Sequence, residues 1–176
     1  MNITVRRFQP GDIPGMLEIW NEIIEAGQAF PQEDFLDEET GCLFFSEQDH
    51  SAVAVDDKSL VLGLYILHPN NVGRCGHLAN ASYAVREEYR DRGIGRLLVE
   101  DSLIEASRLG FRIMQFNAVV ANNEGAMHLY ESLGFVRLGL IPGGFRLKDG
   151  RFEDMYPYYK ILEPVSDNVG DEQRKK

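Results

Sequence analysis

Two short runs of the chain carry residue types and spacings that could do chemistry. The first is Arg90-Asp91-Arg92-Gly93-Ile94-Gly95-Arg96. Glycines at 93 and 95 let the backbone approach a ligand closely and turn its N–H groups inward. A helix opening there adds unpaired N–H groups and the positive end of its dipole. Together these make a cradle for a pyrophosphate. The plain alternative is a tight strand-to-helix turn with no ligand. The run is not the dinucleotide fingerprint, because Leu98 stands where G-x-G-x-x-G needs a third glycine, and no G-K-S/T follows to make a P-loop.

The second run opens at Asn123, continues through Ala126 and Tyr130, and ends Leu133-Gly134-Phe135. On a helix, Asn123, Ala126 and Tyr130 share one face. By itself this is an asparagine cap and a tyrosine packed by its ring. At the mouth of a sheet, however, a phenol of ordinary pKa near 10 could give its proton to a departing thiolate.

These runs need elements to position them. Residues 2–8 read as a strand ended by Pro10-Gly11. Asp12 then offers an N-cap and Pro14 a first-turn position, and Ile13, Met16, Leu17, Trp20, Ile23 and Ile24 fall at helical spacing up to Gly27. A loop through Pro31 leads to a short helix around Glu39–Ser46, then a hairpin of Ser51–Val55 and Leu60–Leu67, then a strand over His77–Val85. The Arg90–Arg96 turn opens a long helix in which Ile94, Leu97, Leu98, Ile104 and Leu109 share a face interrupted by Asp101. Gly110 ends it. Ile113–Val120 is a strand, Asn122 or Asn123 caps a helix stopped by Gly134, and Phe135–Leu140 and Met155–Leu162 are the last strands. Between those two, a Gly/Pro-rich stretch and Lys148-Asp149-Gly150 read as turns. The order predicts an α+β (mixed α/β) fold, a central sheet with helices on both faces.

The length, 176 residues, suits one domain. Residues 1–162 are expected to form it, with 163–176 a charged, disordered tail. With 28 acidic against 18 basic residues, the net charge of −10 argues against nucleic acid, which needs cations to replace counterions, and against anionic membranes. It does not exclude a phosphate-bearing small ligand held on backbone N–H groups. Cys42 and Cys75 form neither a disulfide framework nor a zinc motif and read as buried or incidental thiols. The absence of a long apolar run and of a leader predicts a cytoplasmic protein.

Taken together, in this order and separation, the two runs resemble the GNAT superfamily of N-acetyltransferases. That family carries Q/R-x-x-G-x-G/A between strand and helix, met here by Arg90, Gly93 and Gly95, and N-x-x-A-x-x-L/F-Y-x-x-x-G-F, met by Asn123, Ala126, Leu129, Tyr130, Gly134 and Phe135. The resemblance spans roughly residues 3–162. It implies a mostly antiparallel twisted sheet of about seven strands and acetyl-CoA as cosubstrate, with no metal. Main-chain groups of Tyr83 and Val85 would hold the pantetheine arm where the fourth and fifth strands splay apart. Amides of Asp91, Arg92, Gly93, Ile94, Gly95 and Arg96 would hold the pyrophosphate, and Asn123 the cofactor arm. Tyr130 would protonate the departing thiolate after direct attack by an amine. Many members are dimers, and no sequence feature here fixes the oligomeric state.

The amine must lose a proton before it attacks. Some family members place a glutamate five residues before the helix-opening asparagine, where this chain has Ala118. His77, Glu25, Glu33 and Asp154 are the remaining candidates for a base, beside a water relay. Alternation places Asn80 with Ser82 on one strand face and Gln115 with Asn117 on another, so Asn80 and Asn117 either pair with each other or the backbone, or line an acceptor pocket. Phe116-Asn117, Asn123, Asn80 and Gly139-Leu140-Ile141-Pro142 also resemble yeast acetyltransferases that detoxify proline analogues such as azetidine-2-carboxylate. That resemblance implies a small-molecule amine acceptor, an amino acid or its analogue. A protein or peptide acceptor and a non-catalytic acyl-CoA-binding module are the alternatives.

Overall fold

The structure, a computed structural model, describes residues 2–164. The expectation for the tail falls, from residue 165 on, outside the described residues. In chain order the elements are β1 (Thr4–Arg7), α1 (Ile13–Ala26), α2 (Glu38–Ser46), β2 (His50–Val55), β3 (Val61–Pro69), β4 (Leu78–Val85), α3 (Ile94–Arg108), β5 (Ile113–Val120), α4 (Glu124–Ser132), β6 (Val136–Arg137), β7 (Ile141–Arg146) and β8 (Phe152–Ile161). One sheet runs β1-β2-β3-β4-β5-β8-β6, with β7 against β8. Every pairing is antiparallel except β4 with β5. This is the expected mixed α/β architecture.

Strand alternation sorts the core into two layers. On β3, Leu64 and Ile66 join Met16, Ile19 and Trp20 of α1 and Phe45 of α2 on one side of the sheet. Tyr65 and Leu67 join Leu98, Val99 and Ala106 of α3 on the other, with Leu129 and Tyr130 of α4 packed against that layer. The indole of Trp20 touches Phe30 at a centroid distance of 4.4 Å and Phe44 at 5.4 Å. It thereby fixes the segment between α1 and α2 against the sheet. Gly110 and Gly134 follow α3 and α4 with φ of 89° and 81°, the left-handed geometry expected of helix stops.

The structure departs from the sequence reading at several places. The buried face of α3 is Ile94, Leu98, Val99, Ser102 and Ala106, whereas Leu97, Ile104 and Leu109 are exposed. Small Ser102 and Ala106 let the helix lie close on the sheet, so the packed stripe is turned away from the most apolar one. Asp101 on its flank accepts a hydrogen bond of 2.7 Å from the buried Tyr65 hydroxyl, which accounts for a carboxylate beside that stripe. The stretch containing Pro142-Gly143-Gly144 is strand β7 and not a turn, making eight strands among the described residues; the strand expected over Phe135–Leu140 shrinks to Val136–Arg137. Asp12 stands at the N-cap of α1 without capping it. Its carboxylate instead accepts hydrogen bonds from both Arg6 Nη groups, at 2.7 and 2.9 Å, and from the Gln9 N–H at 2.7 Å.

Candidate active site

The site begins with a defect in the sheet. β4 and β5 are paired only at Leu78–Ile113 and Ala79–Met114. Beyond those positions β4 stays with β3, while β5 stays with β8 and slips register between Phe116 and Val119. Asn117 and Ala118 form the resulting bulge, a device that bends a strand away from its neighbour. Alternate backbone groups of β4 past Ala79 therefore face a gap and need partners other than β5.

A cavity of about 760 Å³ lies over this gap. Phe30, Pro31, Gln32, Phe44 and Gln48 wall it from the α1–α2 side, His68, Asn80, Ser82, Asn117 and Ala118 from the sheet, and Asn123, Ala126 and Tyr130 from α4. A second cavity, of about 620 Å³, is lined by Val85, Tyr89, Arg90, Asp91, Gly93, Gly95 and Arg96. The two share Ala29, Tyr83, Asn123 and Ala126 as walls. They make one groove from the start of α3 to the bulge of β5.

At the α3 end, Gly93 is the N-cap, with φ 79° and ψ 0° and no side-chain cap bond. Asp91 adopts φ 59° without being glycine, a strained conformation of the kind found at ligand sites. The first helical bond runs from the Leu97 N–H to the Gly93 carbonyl, 3.2 Å. The N–H groups of Ile94, Gly95 and Arg96 precede it and have no intrahelical acceptor. This cradle fits a pyrophosphate. Ile94 can contribute its backbone only, since its side chain is buried in the core. The arginines divide. Arg90 and Arg96 line the groove. Arg92 lies over the Tyr89 ring at 4.9 Å and is not among the lining residues. The Arg96 guanidinium reaches Glu100 at 3.4 Å and the Ser132 hydroxyl at 2.7 Å.

Where the two cavities meet, Tyr130 is held by its ring against Phe116 (4.6 Å between centroids), Phe135 (5.6 Å) and Tyr158 (6.1 Å). No side chain among the described residues hydrogen-bonds its hydroxyl. Burial, with Tyr158 nearby, pushes its pKa above the ordinary phenol value, so at neutral pH it is a proton donor. The Tyr83 hydroxyl is instead paired with Ser102 Oγ at 2.7 Å, toward α3. That engages the Tyr83 side chain on the α3 side of the sheet. Asn123, not Asn122, caps α4, its Oδ1 accepting the Ala126 N–H at 3.2 Å. Its Nδ2 is left to the groove.

At the other end the lining is rich in carboxamides. Asn80 is partly buried and Asn117 exposed. Asn117 is paired with Asn70 and also accepts from Gln115 Nε2 at 3.0 Å. The sequence-derived base candidates lie elsewhere. His77 is exposed and outside both cavities. Glu25 pairs with Lys148 and Glu33 with Arg146, around a neighbouring cavity of about 520 Å³ between the α1–α2 loop and the β7–β8 hairpin. Asp154 accepts the Gly143 N–H at 2.8 Å. The groove contains instead a residue that the sequence reading left outside β3, His68, which continues the alternation of Leu64 and Ile66 and pairs in register with Asn80. Cys42 and Cys75 are both free and exposed, so neither is a core thiol. Among the described residues, no three or more His, Cys, Asp or Glu side chains group to hold a metal ion, and no helix is long and apolar enough to cross a membrane.

Comparison with known proteins gives a consistent result. The model of the Acetyltransferase (GNAT) family matches residues 15–135. The N-acetyltransferase aca1 of Schizosaccharomyces pombe is 38% identical over 120 residues, 68% of this chain and 57% of that relative. The chain thus matches little more than half the length of that yeast protein. Among solved structures, a GNAT acetyltransferase from Kribbella flavida superposes with a TM-score of 0.84 at 34% identity, covering 91% of this chain and 98% of the other. A GNAT-superfamily phosphinothricin acetyltransferase from Sinorhizobium meliloti, solved in complex with acetyl-CoA, superposes with a TM-score of 0.85 at 25% identity, covering 98% and 95%.

Proposed function

The chain belongs to the GNAT acetyltransferase family, and from that premise we propose that it is an acetyl-CoA-dependent N-acetyltransferase acting on the amine of a small molecule, an amino acid or amino-acid analogue. The observation that carries this reading is the Tyr130 hydroxyl, unpartnered at the join between an N–H-lined cradle and a carboxamide-lined chamber. Acetyl-CoA supplies the acetyl group as a thioester. The amides at the start of α3 hold its pyrophosphate, and the open edge of β4 at Tyr83 and Val85 holds the arm in the gap. The Tyr130 Oη proton stands ready for the departing sulfur. The amine attacks the thioester directly from the chamber side, with no acyl-enzyme. The amides of Asn80 and Asn117 orient the acceptor.

A small acceptor is favoured by the chamber itself. Phe30, Pro31 and Gln32 overhang it from the α1–α2 segment, and among the described residues no Asp, Glu, Lys or Arg lines it. A polycation such as a polyamine or a basic peptide has no carboxylate to meet there. The S. meliloti relative, named for a small molecule, agrees with this.

The test is thiol release from acetyl-CoA against a panel of amino acids, proline analogues, phosphinothricin, polyamines, aminoglycosides and peptides, beside a thermal-shift titration with CoA. Turnover is expected with a small amino acid or analogue. Stabilisation by CoA without turnover of any amine would leave a binding module; preferred turnover of peptides would move the acceptor class.

A further inference from the structure

We propose that His68 is the general base that takes the proton of the acceptor amine. The proposal rests on the acetyltransferase reading above. An alkyl ammonium has a pKa near 10, so at neutral pH only about one molecule in a thousand carries the lone pair that attack requires. A group beside the amine must accept that proton.

The titratable side chains lining the 760 Å³ chamber are His68, Tyr83 and Tyr130. Both tyrosines are pushed above the ordinary phenol value by burial, and each stays protonated. A tyrosine in that state donates and does not accept. The position from which related chains present a glutamate is Ala118, and its methyl group accepts nothing. His68 remains.

Its geometry suits the task. His68 Nδ1 lies 3.0 Å from the Pro69 carbonyl oxygen. A carbonyl can only accept, so the contact places the ring proton on Nδ1 and leaves the lone pair on Nε2. The residue pairs in register with Asn80 across β3 and β4, which brings their Cβ atoms within about 5.5 Å on the same face of the sheet. That face is the chamber floor, and Asn117 on β5, Gln48 beyond α2, Gln32, Ser82 and Asn123 are among its other polar walls. None of these neighbours carries a charge. His68 is partly exposed, so a proton received on Nε2 can pass to solvent between turnovers.

The step balances as follows. The ammonium gives one proton to His68 Nε2. Its nitrogen lone pair forms the C–N bond to the acetyl carbonyl carbon, and the C–S bond breaks with its electron pair on sulfur. Tyr130 gives its proton to that sulfur and recovers one from the new amide nitrogen. The products are the acetamide, free CoA thiol and one proton released through His68.

The experiment compares wild type with His68→Gln and His68→Ala, using the best amine from the panel. Acetyl-CoA should stabilise all three proteins against heat equally. At pH 7, kcat/KM should fall about 100-fold in both variants. The rising limb of the kcat/KM–pH profile should lie at higher pH in the variants than in wild type, toward the pKa of the amine. Imidazole should restore part of the rate to His68→Ala. Variants that keep the wild-type rate and pH profile overturn the proposal. So does a rate loss with an unchanged profile and no imidazole rescue, which marks a structural role. Wild type that binds acetyl-CoA yet acetylates no amine refutes the acetyltransferase reading and this proposal with it. If His68→Gln fails to fold, the His68→Ala rescue decides.

Discussion

The carboxamides of Asn70 and Asn117 exchange two hydrogen bonds, Asn117 Nδ2 to Asn70 Oδ1 at 2.6 Å and Asn70 Nδ2 to Asn117 Oδ1 at 3.2 Å. The pair ties the residue after β3 to the bulge of β5, spanning β4 where it leaves β5. Asn117 Oδ1 also accepts from Gln115, and one Nδ2 hydrogen of Asn117 remains for a ligand. The bulge is thus held by side chains where the ladder cannot hold it, and a donor is presented to the chamber.

Asn117→Ala should therefore weaken the acceptor and spare the cosubstrate. Losing one neutral hydrogen bond to the acceptor is worth about 1 kcal/mol, so KM for the amine should rise about fivefold or more. KM for acetyl-CoA should change less than about twofold, since the cradle lies at the other end of the groove. Initial-rate kinetics with each substrate varied would show this. An unchanged acceptor KM would remove Asn117 from the site.

Tyr130→Phe keeps the ring contacts with Phe116, Phe135 and Tyr158 and removes the unpartnered hydroxyl. The expected outcome is a kcat lower by about 100-fold with acetyl-CoA affinity unchanged by calorimetry. Because burial raises the pKa of this phenol, wild-type activity should show no loss from its ionisation as pH rises to about 10. Equal kcat in the two proteins would exclude Tyr130 as the proton donor.

Asp101→Ala leaves the buried Tyr65 hydroxyl without its 2.7 Å partner. A buried donor left unsatisfied costs about 1–3 kcal/mol, which in a chain of this size lowers Tm by roughly 2–12 °C. Turnover at 25 °C should persist, because neither Tyr65 nor Asp101 lines the chamber. Double substitution with Tyr65→Phe should recover much of the lost stability, and calorimetry of the cycle would measure the coupling.

The two chemical runs were legible because each is local. A turn that opens a helix with uncapped amides, and an asparagine that caps the next helix, are set by residues adjacent in sequence. Other features depend on partners far along the chain. Pro142-Gly143-Gly144 reads as a turn until Asp154 and β8 are seen beside it, where Gly143 N–H meets the Asp154 carboxylate. The packed face of α3 is chosen by how closely Ser102 and Ala106 let it approach the sheet, not by where its largest apolar residues fall. His68 carries no motif. Its place became visible only through its register with Asn80 and the departure of β5 from β4.

Arg6 and Asp12 supply the last prediction, a pH-dependent anchor between β1 and α1. Asp12 is buried, with 6% of its surface exposed. Burial taken singly would raise its pKa, but the hydrogen bonds from Arg6 and from the Gln9 N–H outweigh that and hold it below the usual carboxylate value. A folded-state pKa below the unfolded one means that folding favours the ionised form, so the anchor is fully present above the unfolded value near 4 and is lost as pH falls through the folded value. Asp12→Asn keeps the shape but forfeits the charge. At pH 7 it should destabilise by about 1.5–3 kcal/mol, read as a lower urea midpoint. As pH falls below about 4 the difference should shrink, and it should vanish only below the still lower folded-state value, where wild type gains the proton that costs it the same interaction. A difference in midpoint that stays constant from pH 7 down to pH 3 would show that Asp12 contributes by shape and not by charge.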